Sequence, residues 1–297
     1  MGVLPTVLLG LGFLASASAA CAEEVNWQKV DEVFGRKAAV ASSGDVHRYG
    51  FPRTDLNVTL DGVAVKPALA LGGWVAFKPM GPETMVMGDL VLLETEITPV
   101  MTKLIANGVQ ITAIHNHLLR AKPAPFYMHI GGHGEPTKLA TAIRSALTES
   151  GMPLEASASS AAAAIELDGA QLDQIIGVKG KANGGVYQFA VPRRETIHEG
   201  EAALAPPGPL GVATSINFQP TDEGKAAVTG DFVLGADEVN PVIKTLRENG
   251  IEVTALHSHM LAEQPRLFFM HFWANDVAIK LAKGLRAALD QVALAKD

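Results

Sequence analysis

The sequence predicts an α+β protein built from two tandem, pseudo-symmetric copies of one strand-rich unit, each containing a strand–helix–strand–strand–helix run. Two observations predict this class. Residues 142 positions apart match without a gap over a long segment of each half, and apolar stretches of period two alternate with stretches of helical period. A sheet with an apolar face needs helices to cover it, so the alternation favours layered α+β units.

The repeat is seen as identities at this constant offset. The Gly88-Asp89 pair matches Gly230-Asp231, and the agreement continues for more than fifty residues. The matched pairs include Glu96/Glu238, Pro99/Pro241, Leu104/Leu246, Asn107/Asn249, His115/His257, His117/His259, Met128/Met270, His129/His271 and Arg144/Arg286. Upstream the match is weaker and contains small gaps. Identities at so regular a spacing predict one fold that is used twice.

The elements of the first unit follow from their patterns in chain order. The first helix of the run is marked by a proline at its first position and a glycine just after its end. The second is marked by apolar residues that recur every three or four positions. The predicted elements are a strand at 85–94, a helix at 99–107, strands at 109–118 and 125–130, and a helix at 136–149. The second copy repeats them and ends in a helix at 276–293.

The chain divides into a signal peptide at 1–22, a first unit at 23–150, an Ala- and Ser-rich linker at 151–170 and a second unit at 171–297. The first 22 residues carry no charged side chain and end in small residues, as secretory signals do. Cys21 is the only cysteine. Cleavage before Cys21 would make it the lipidated first residue of a lipoprotein, and cleavage after Ala22 would remove it with the signal peptide. Both alternatives predict export to the periplasm or cell envelope, with membrane contact only through a lipid anchor at Cys21.

Composition excludes some function classes. Hydrophobic residues make up 48% of the 297 residues, which is typical of a globular protein. The chain has 24 Lys and Arg against 31 Asp and Glu and no basic run, so nucleic acid is not an expected partner. The sequence contains no nucleophile elbow, phosphate-binding loop, HExxH or dinucleotide motif, so the common hydrolase and nucleotide-binding classes lose their support.

Histidines give the strongest chemical signal. His115 and His117 lie two apart on a predicted strand and share a face, and an antiparallel neighbour would bring His129 close to them. Three imidazoles from two strands resemble a divalent-metal site with an open position. The second unit repeats the pattern. The predicted ligands are His115, His117 and His129 in one unit and His257, His259 and His271 in the other. Without thiolates, Zn²⁺ or Cu²⁺ is the expected ion.

The sequence leaves more than one interpretation of these residues open. A single histidine is more often a satisfied core or surface residue, but both units retain all three while Asn116 is replaced by Ser258. Glu96 and Glu238 suit either a carboxylate ligand or a charge that complements a helix N-terminus. The rival function is metal-free binding of a small molecule or envelope polymer in a cleft between the units.

Asp89 and Asp231 follow matched glycines and are interpreted as residues that end a turn.

The motifs at 230–261 and 265–272, which include Gly-Asp-Phe-Val-Leu, the His-Ser-His pair and Phe-Met-His, resemble the LppY/LpqO family of exported bacterial proteins. The resemblance covers nearly the whole mature chain, including the duplication and the His-x-His motif. It implies export, with lipoproteins among the members. It implies no reaction, because the family is a domain of unknown function.

Overall fold

The computed structural model describes residue 2 and residues 25–81, 83–155 and 165–295. Apart from residue 2, the predicted signal peptide lies outside the described residues, and so do Cys21 and the centre of the linker at 156–164. Among the residues that are described, no helix is long and apolar enough to cross a membrane.

The first unit alternates short helices with strands. Its elements are α1 (Trp27–Phe34), β1 (Ala39–Val40), β2 (His47–Pro52), β3 (Thr59–Leu60), β4 (Val63–Ala64), α2 (Pro67–Ala70), β5 (Gly72–Met80), β6 (Glu83–Leu93), α3 (Glu94–Ala106), β7 (Gln110–His115), β8 (Pro125–Gly134) and α4 (Pro136–Leu147).

The second unit repeats this order with one additional short strand, at Glu263–Gln264, and without a counterpart of α2. Its elements are α5 (Gly169–Ile176), β9 (Lys181–Asn183), β10 (Val186–Val191), β11 (His198–Glu199), β12 (Ala202–Ala203), β13 (Thr214–Pro220), β14 (Lys225–Leu234), a 3₁₀ turn (Ala236–Glu238), α6 (Val239–Glu248), β15 (Glu252–His257), β16 (Glu263–Gln264), β17 (Phe268–Val277) and α7 (Ala278–Leu289).

Each unit folds around one six-stranded sheet with the same connectivity. The strand order is β1-β2-β5-β6-β8-β7 in the first unit and, read from the equivalent edge, β9-β10-β13-β14-β17-β15 in the second. Neighbouring strands in both sheets are antiparallel. The two sheets therefore show at the level of topology the duplication that the sequence shows as an offset.

One face of each sheet is covered by the helices of its own unit. Alternate side chains of the central strand β6, such as Val86 and Leu90, pack with helical residues such as Leu104 and Ile143 in the first core. Every second residue of a strand lies on the same face, so the even-numbered residues of β6 that include Val86 and Leu90 point into this core. The second core is built in the same way between β14, β17 and the helices α5, α6 and α7.

The other face of each sheet packs against the other unit in two apolar clusters. One cluster joins Val91 and Tyr127 of the first unit to Ala227 of the second. The other joins Val233 and Phe269, the repeat equivalents of Val91 and Tyr127, to Met85, the equivalent of Ala227. Equivalent residues thus exchange places between the clusters, which is the signature of a twofold relation. The molecule is layered as helices, sheet, sheet and helices.

Several predicted boundaries differ from the structure. Strand β8 runs to Gly134 rather than to position 130, and the last helix spans Ala278–Leu289 rather than 276–293.

Two further differences affect the region of the histidines. Helix α3 begins at Glu94 rather than at position 99, with Pro99 inside it, because the Glu96 carboxylate accepts the Leu93 N–H at 2.8 Å and caps an earlier turn. Strand β7 ends at His115 rather than at position 118, and Leu118 is buried in the interface between the units. His117 therefore lies beyond the strand, in the segment that leads to β8.

The segment after α4 also packs on the first unit. Met152 is buried in the first core, and Arg36 donates hydrogen bonds to the carbonyls of Pro153 and Leu154. These contacts attach the start of the predicted linker to the first unit, while α5 begins at Gly169, just before the linker's predicted end.

Candidate metal centre

The six histidines of the two motifs meet in one cluster between the two sheets. Their shortest ring-to-ring contacts join histidines of different units. The ring centroids are 3.5 Å apart for His115 and His257, 3.5 Å for His117 and His271, and 3.7 Å for His129 and His259. Within the first unit, the centroid of His115 is 4.9 Å from that of His117 and 5.0 Å from that of His129. The two triplets therefore interleave, whereas the sequence predicts one group per unit.

These contacts follow the twofold relation of the sheets. The repeat exchanges His117 with His259 and His129 with His271, so it converts the contact between His117 and His271 into that between His259 and His129. The contact between His115 and His257 is converted into itself and lies at the axis.

Antiparallel pairing brings the side chains to the face between the units. His129 on β8 lies directly opposite Asp89 on β6, and His271 on β17 lies opposite Asp231 on β14. His115, at the end of β7, lies opposite Tyr127. Side chains of directly paired residues share a face, so each sheet presents an aspartate and histidines toward the other sheet.

Aromatic rings hold the outer imidazoles in place. His117 stacks on Tyr127 at 3.3 Å between centroids, and His259 stacks on Phe269, the equivalent residue, at 3.6 Å. The Tyr127 hydroxyl donates a hydrogen bond to the Ala70 carbonyl at 2.7 Å, which fixes that ring. The Nδ1 atom of His271 is 2.9 Å from the Gly230 carbonyl oxygen. That hydrogen bond requires the proton on Nδ1 and leaves the Nε2 lone pair free.

Asp89 and Asp231 are functional candidates that the sequence interpretation missed. The prediction that they end turns is wrong, because both lie within the central strands and point into the cluster. Asp89 Oδ1 is 3.8 Å from His129 Nε2, and Asp231 lies 3.9 Å from His271 Nε2 and 4.0 Å from His259 Nε2. The signal that could have found them is the matched Gly-Asp pair inside a predicted strand.

The glycines of this motif allow close strand packing. A Cβ atom at Gly88 would lie 2.9 Å from the Trp74 carbonyl oxygen, and one at Gly230 would overlap the Ser215 carbonyl oxygen. Neither position has room for a side chain, so the motif pairs a close backbone contact with an inward-facing carboxyl group.

Burial keeps the imidazoles neutral. It lowers the pKa of His115 to about 3 and that of His257 to about 4. Burial, and after it repulsion between neighbouring imidazoles, lowers the pKa of the other four well below the usual value, namely those of His117, His129, His259 and His271. Neutral imidazole is the form that binds a metal, so all six are in the ligand state at neutral pH.

Burial shifts the pKa values of the two buried carboxyl groups upward, whereas it shifts those of the imidazoles downward. Burial raises the pKa of Asp89 to about 7, against the attraction of Arg48. Burial, together with the nearby Asp89 carboxyl, raises the pKa of Asp231 well above its ordinary value. A cation between these groups would favour their ionised form.

The cluster concentrates polar atoms that have no partner. Sixteen buried side-chain nitrogen and oxygen atoms in the described part of the chain lack a hydrogen-bond partner, and ten of them belong to the six histidines, Asp89 and Asp231. Buried polar groups are nearly always satisfied, because an unpaired one costs about 1–3 kcal/mol. Ten such atoms in one side-chain cluster fit a site that is completed by a cation.

The donor positions suit a transition metal. Two groups of four have ligand atoms that all lie within 4.8 Å of one another: His115, His117, His129 and His259, and His115, His117, His257 and His271. A third group joins Asp231 to His259 and His271. Tetrahedral Zn–N bonds of about 2.0–2.1 Å place neighbouring nitrogens roughly 3.3 Å apart, so each group needs only a small contraction to bind an ion.

Glu96 and Glu238, the carboxylates considered as further ligands, are not brought to the histidines. Each forms a buried ion pair, Glu96 with Arg53 at 2.7 Å and Glu238 with Arg193 at 2.5 Å. Each also accepts two backbone N–H groups, including that of Gly151 at 2.7 Å for Glu96. Burial opposes ionisation of Glu96, but these hydrogen bonds lower its pKa below the ordinary value.

A small cavity of about 20 Å³ reaches the cluster at His129 and His259. Trp74, Thr112 and Met260 are among its other lining residues. A volume of this size holds about one water molecule. The cavity therefore leaves room for a water-sized molecule beside these two histidines and none for an organic ligand.

The chain belongs to the family described as Domain of Unknown Function (DUF1259), whose model matches it twice, at residues 28–149 and 170–291. The double match confirms that the chain contains two tandem copies of one domain. No curated protein matches the chain.

Two solved structures show a weak likeness. A trimeric bacterial microcompartment shell protein, PduB, is 15% identical, with 89% of this chain and 97% of that chain covered, at a TM-score of 0.23. EtuB from Clostridium kluyveri is 9% identical, with 86% and 91% covered, at a TM-score of 0.20. At these scores neither likeness bears on function.

The Arg–Glu pairs give a first prediction. Glu96→Gln and Glu238→Gln should each destabilise the protein by about 2 kcal/mol, because each removes a charged hydrogen-bond acceptor from a buried arginine. Each arginine keeps one other carboxylate partner, Asp55 for Arg53 and Glu195 for Arg193. Metal content should stay unchanged, because neither carboxylate faces the histidines. Denaturant unfolding and elemental analysis of the variants measure the two effects. Loss of metal without loss of stability in either variant would restore these glutamates as ligands.

A second prediction concerns pH. The folded pKa values of the six imidazoles lie below the unfolded value of about 6.5, so the unfolded chain binds more protons below that pH. Their contribution to stability is present above about pH 6.5 and is lost as the pH falls toward about 4 and 3, the values for His257 and His115. Asp89, whose pKa is raised to about 7, acts in the opposite direction. Because six imidazoles take up protons on unfolding and only two carboxyl groups release them, the net effect is a loss of stability as the pH falls.

With a chelator present, Tm should therefore fall between pH 6.5 and 5, as calorimetry would show. His257→Gln should reduce the slope, because it removes one group that takes up a proton on unfolding. His133→Gln, a change at an exposed position on β8, serves as the control. A Tm that is constant across this interval would contradict the neutral, buried state of the cluster.

Proposed function

We propose that this chain is an exported protein that binds a divalent transition metal, Zn²⁺ or Cu²⁺, in the histidine cluster between its two units. The concentration of buried, unpartnered donor atoms at that cluster carries the proposal. Imidazole nitrogen is a favoured ligand of both ions, and the affinity order of divalent metals favours them when no thiolate is present. Cys21, the one cysteine, lies outside the described residues.

The surroundings of the cluster support binding of an ion more than binding of an organic ligand. Two apolar clusters of buried residues lie beside the histidine cluster in the interface between the units. The cavity beside His129 and His259 has room for about one water molecule. The rival proposal, a ligand cleft between the units, would need a much larger space, since sites for small molecules are about 300–1,000 Å³.

A bound ion would supply Lewis acidity and would lower the pKa of any water molecule that it coordinates. The protein residues have defined parts in such a site. The imidazoles donate nitrogen lone pairs, and Tyr127 and Phe269 orient two of the rings by stacking. The apolar clusters on both sides exclude bulk water. A general base that would define a reaction is not identified among the described residues.

Export is proposed from the sequence of residues 1–22, whose uncharged apolar run and small-residue end fit a secretory signal. The resemblance of the paired motifs to the LppY/LpqO family supports the same location in the periplasm or envelope. Whether the mature protein is anchored depends on Cys21.

The metal proposal predicts that the wild-type protein contains Zn²⁺ or Cu²⁺ by elemental analysis and takes it up in calorimetry at neutral pH. His115→Ala, His117→Ala, His129→Ala, His257→Ala, His259→Ala and His271→Ala should each weaken binding. Each change removes a ligand, so the loss should exceed the roughly 10- to 100-fold that is typical of losing an outer-shell partner.

His133→Ala and His198→Ala are the matched controls, because both residues lie outside the cluster and His133 is exposed. His47 lies outside it as well, but it stacks on Trp27 at 3.7 Å, so replacing His47 would disturb packing. Absence of metal uptake by the intact protein would overturn the proposal. Equal losses in His133→Ala and His117→Ala would do the same.

The export proposal predicts that expression in a Gram-negative host yields a mature chain without residues 1–20 or 1–22. Mass spectrometry of the purified protein distinguishes the two results. A lipid-modified N-terminus at Cys21 indicates an anchored protein, and Cys21→Ser should then shift the protein from the membrane to the soluble fraction. An uncleaved chain in the cytoplasm would contradict export.

A further inference from the structure

We infer that the cluster binds two metal ions, that each ion takes ligands from both units, and that Asp89 and Asp231 are the carboxylate ligands. This inference rests on the proposed metal binding and specifies the composition of the site. It depends on three observations: which donors lie close together, which donors the repeat makes equivalent, and which oxygen atoms are buried without a partner.

The donors number eight and form four equivalent pairs. The repeat relates the two aspartates to each other and each histidine of one unit to a histidine of the other. The pairs are Asp89 and Asp231, His115 and His257, His117 and His259, and His129 and His271. Eight donors supply two ions with four ligands each, which is the usual coordination number of zinc in proteins.

The short distances between donor atoms restrict how the imidazoles can be shared. His129 belongs only to the group with His115, His117 and His259, whereas His271 belongs, among the all-histidine groups, only to the group with His115, His117 and His257. An ion bound by His129 therefore takes His115 as its ligand from the axial pair, and its twofold equivalent takes His257.

The remaining choice lies between His117 and His259. If the ion at His129 took His117, its equivalent would need His257, His259 and His271, which do not occur together in any group of mutually close donors in the described chain. If it takes His259, the equivalent set is His117, His257 and His271, and all three belong to the second group. One symmetric division of the imidazoles therefore satisfies the distances.

Each ion thus takes one imidazole from the other unit. The first set is His115 and His129 of the first unit with His259 of the second. The second set is His257 and His271 of the second unit with His117 of the first. The short ring contacts between His129 and His259 and between His117 and His271 link the members that come from different units.

One aspartate lies beside each set. Asp89 Oδ1 is 3.8 Å from His129 Nε2, and Asp231 Oδ1 is 3.9 Å from His271 Nε2. Asp231 also lies close to a member of the first set, because its Oδ2 is 4.0 Å from His259 Nε2 and it forms a group of mutually close donors with His259 and His271. Both Oδ1 atoms are buried without a hydrogen-bond partner. Two buried dications require nearby negative charge, because an uncompensated charge in a poorly solvated site is costly. Three imidazoles and one carboxylate per ion meet this requirement in part and give four ligands.

Pairs of double variants test the division, with Zn²⁺ as the probe and elemental analysis of the full chain after gel filtration as the measurement. The wild-type protein should retain two ions per chain. His129→Gln with His259→Gln removes two ligands of the same ion, so one ion should remain. His117→Gln with His129→Gln removes one ligand of each ion, so retention should fall toward zero.

Each double variant removes two imidazoles from the same cluster, so general damage affects both, and circular dichroism checks that both are folded. A site confined to each unit gives the reverse order, because His117 and His129 would then serve one ion. The reverse order, equal retention in the two variants, or one ion per wild-type chain overturns the inference but not metal binding. Absence of any ion from the wild-type protein overturns the proposed function instead.

Asparagine variants test the carboxylates separately, because Asp→Asn keeps the size of the side chain and removes its charge. Asp89→Asn should weaken the same ion as His129→Gln, so their combination should still retain one ion. Asp89→Asn combined with His271→Gln affects both ions and should retain close to none. Asp276→Asn, a change at a solvent-facing aspartate that pairs with Lys280, is the control. Unchanged retention of two ions by Asp89→Asn would remove the aspartates from the site.

Discussion

The burial of six imidazoles and two carboxyl groups between two sheets is the constraint on which the rest of the structure depends. Polar groups away from water cost free energy unless they find partners, and ten nitrogen and oxygen atoms of these groups lack partners among the described residues. The fold surrounds them with two apolar clusters, so the favourable burial of Val91, Tyr127, Val233 and Phe269 helps to hold the sheets together around a polar centre. A centre of buried donor atoms that lack partners and are shielded from water is suited to binding a cation.

The layered architecture follows from giving each sheet two different faces. One face is covered by helices of its own unit, and the other meets the second sheet. Arg53 strengthens this arrangement because it donates to the Val91 carbonyl and to Glu96, and so ties the end of β6 to the start of α3. Arg193 does the same with Val233 and Glu238 in the second unit. These carboxylates organise the strand that presents the aspartate.

The twofold relation explains what the duplication contributes to the cluster. A single unit offers two histidines on strands, one histidine beyond a strand end and one aspartate, all on a face that would be open to water if the unit stood alone. The second unit covers that face and contributes its own imidazoles at 3.5–3.7 Å between ring centroids. The units are thus complementary through equivalent residues, as in a symmetric dimer, but within one chain.

The sequence by itself determined the repeat, the layered α+β class and the two histidine triplets that the structure brings together, because matched identities and strand alternation can be read directly from the chain. It also contained the Gly-Asp signal, although strand position was needed to recognise Asp89 as an inward-facing residue. Tertiary structure decided the rest. Glu96 is held by Arg53, a residue 43 positions earlier in the chain, which no local pattern reports. The approach of His259 to His129 depends on how two sheets pack face to face, and such long-range packing is set by the whole interface rather than by any segment.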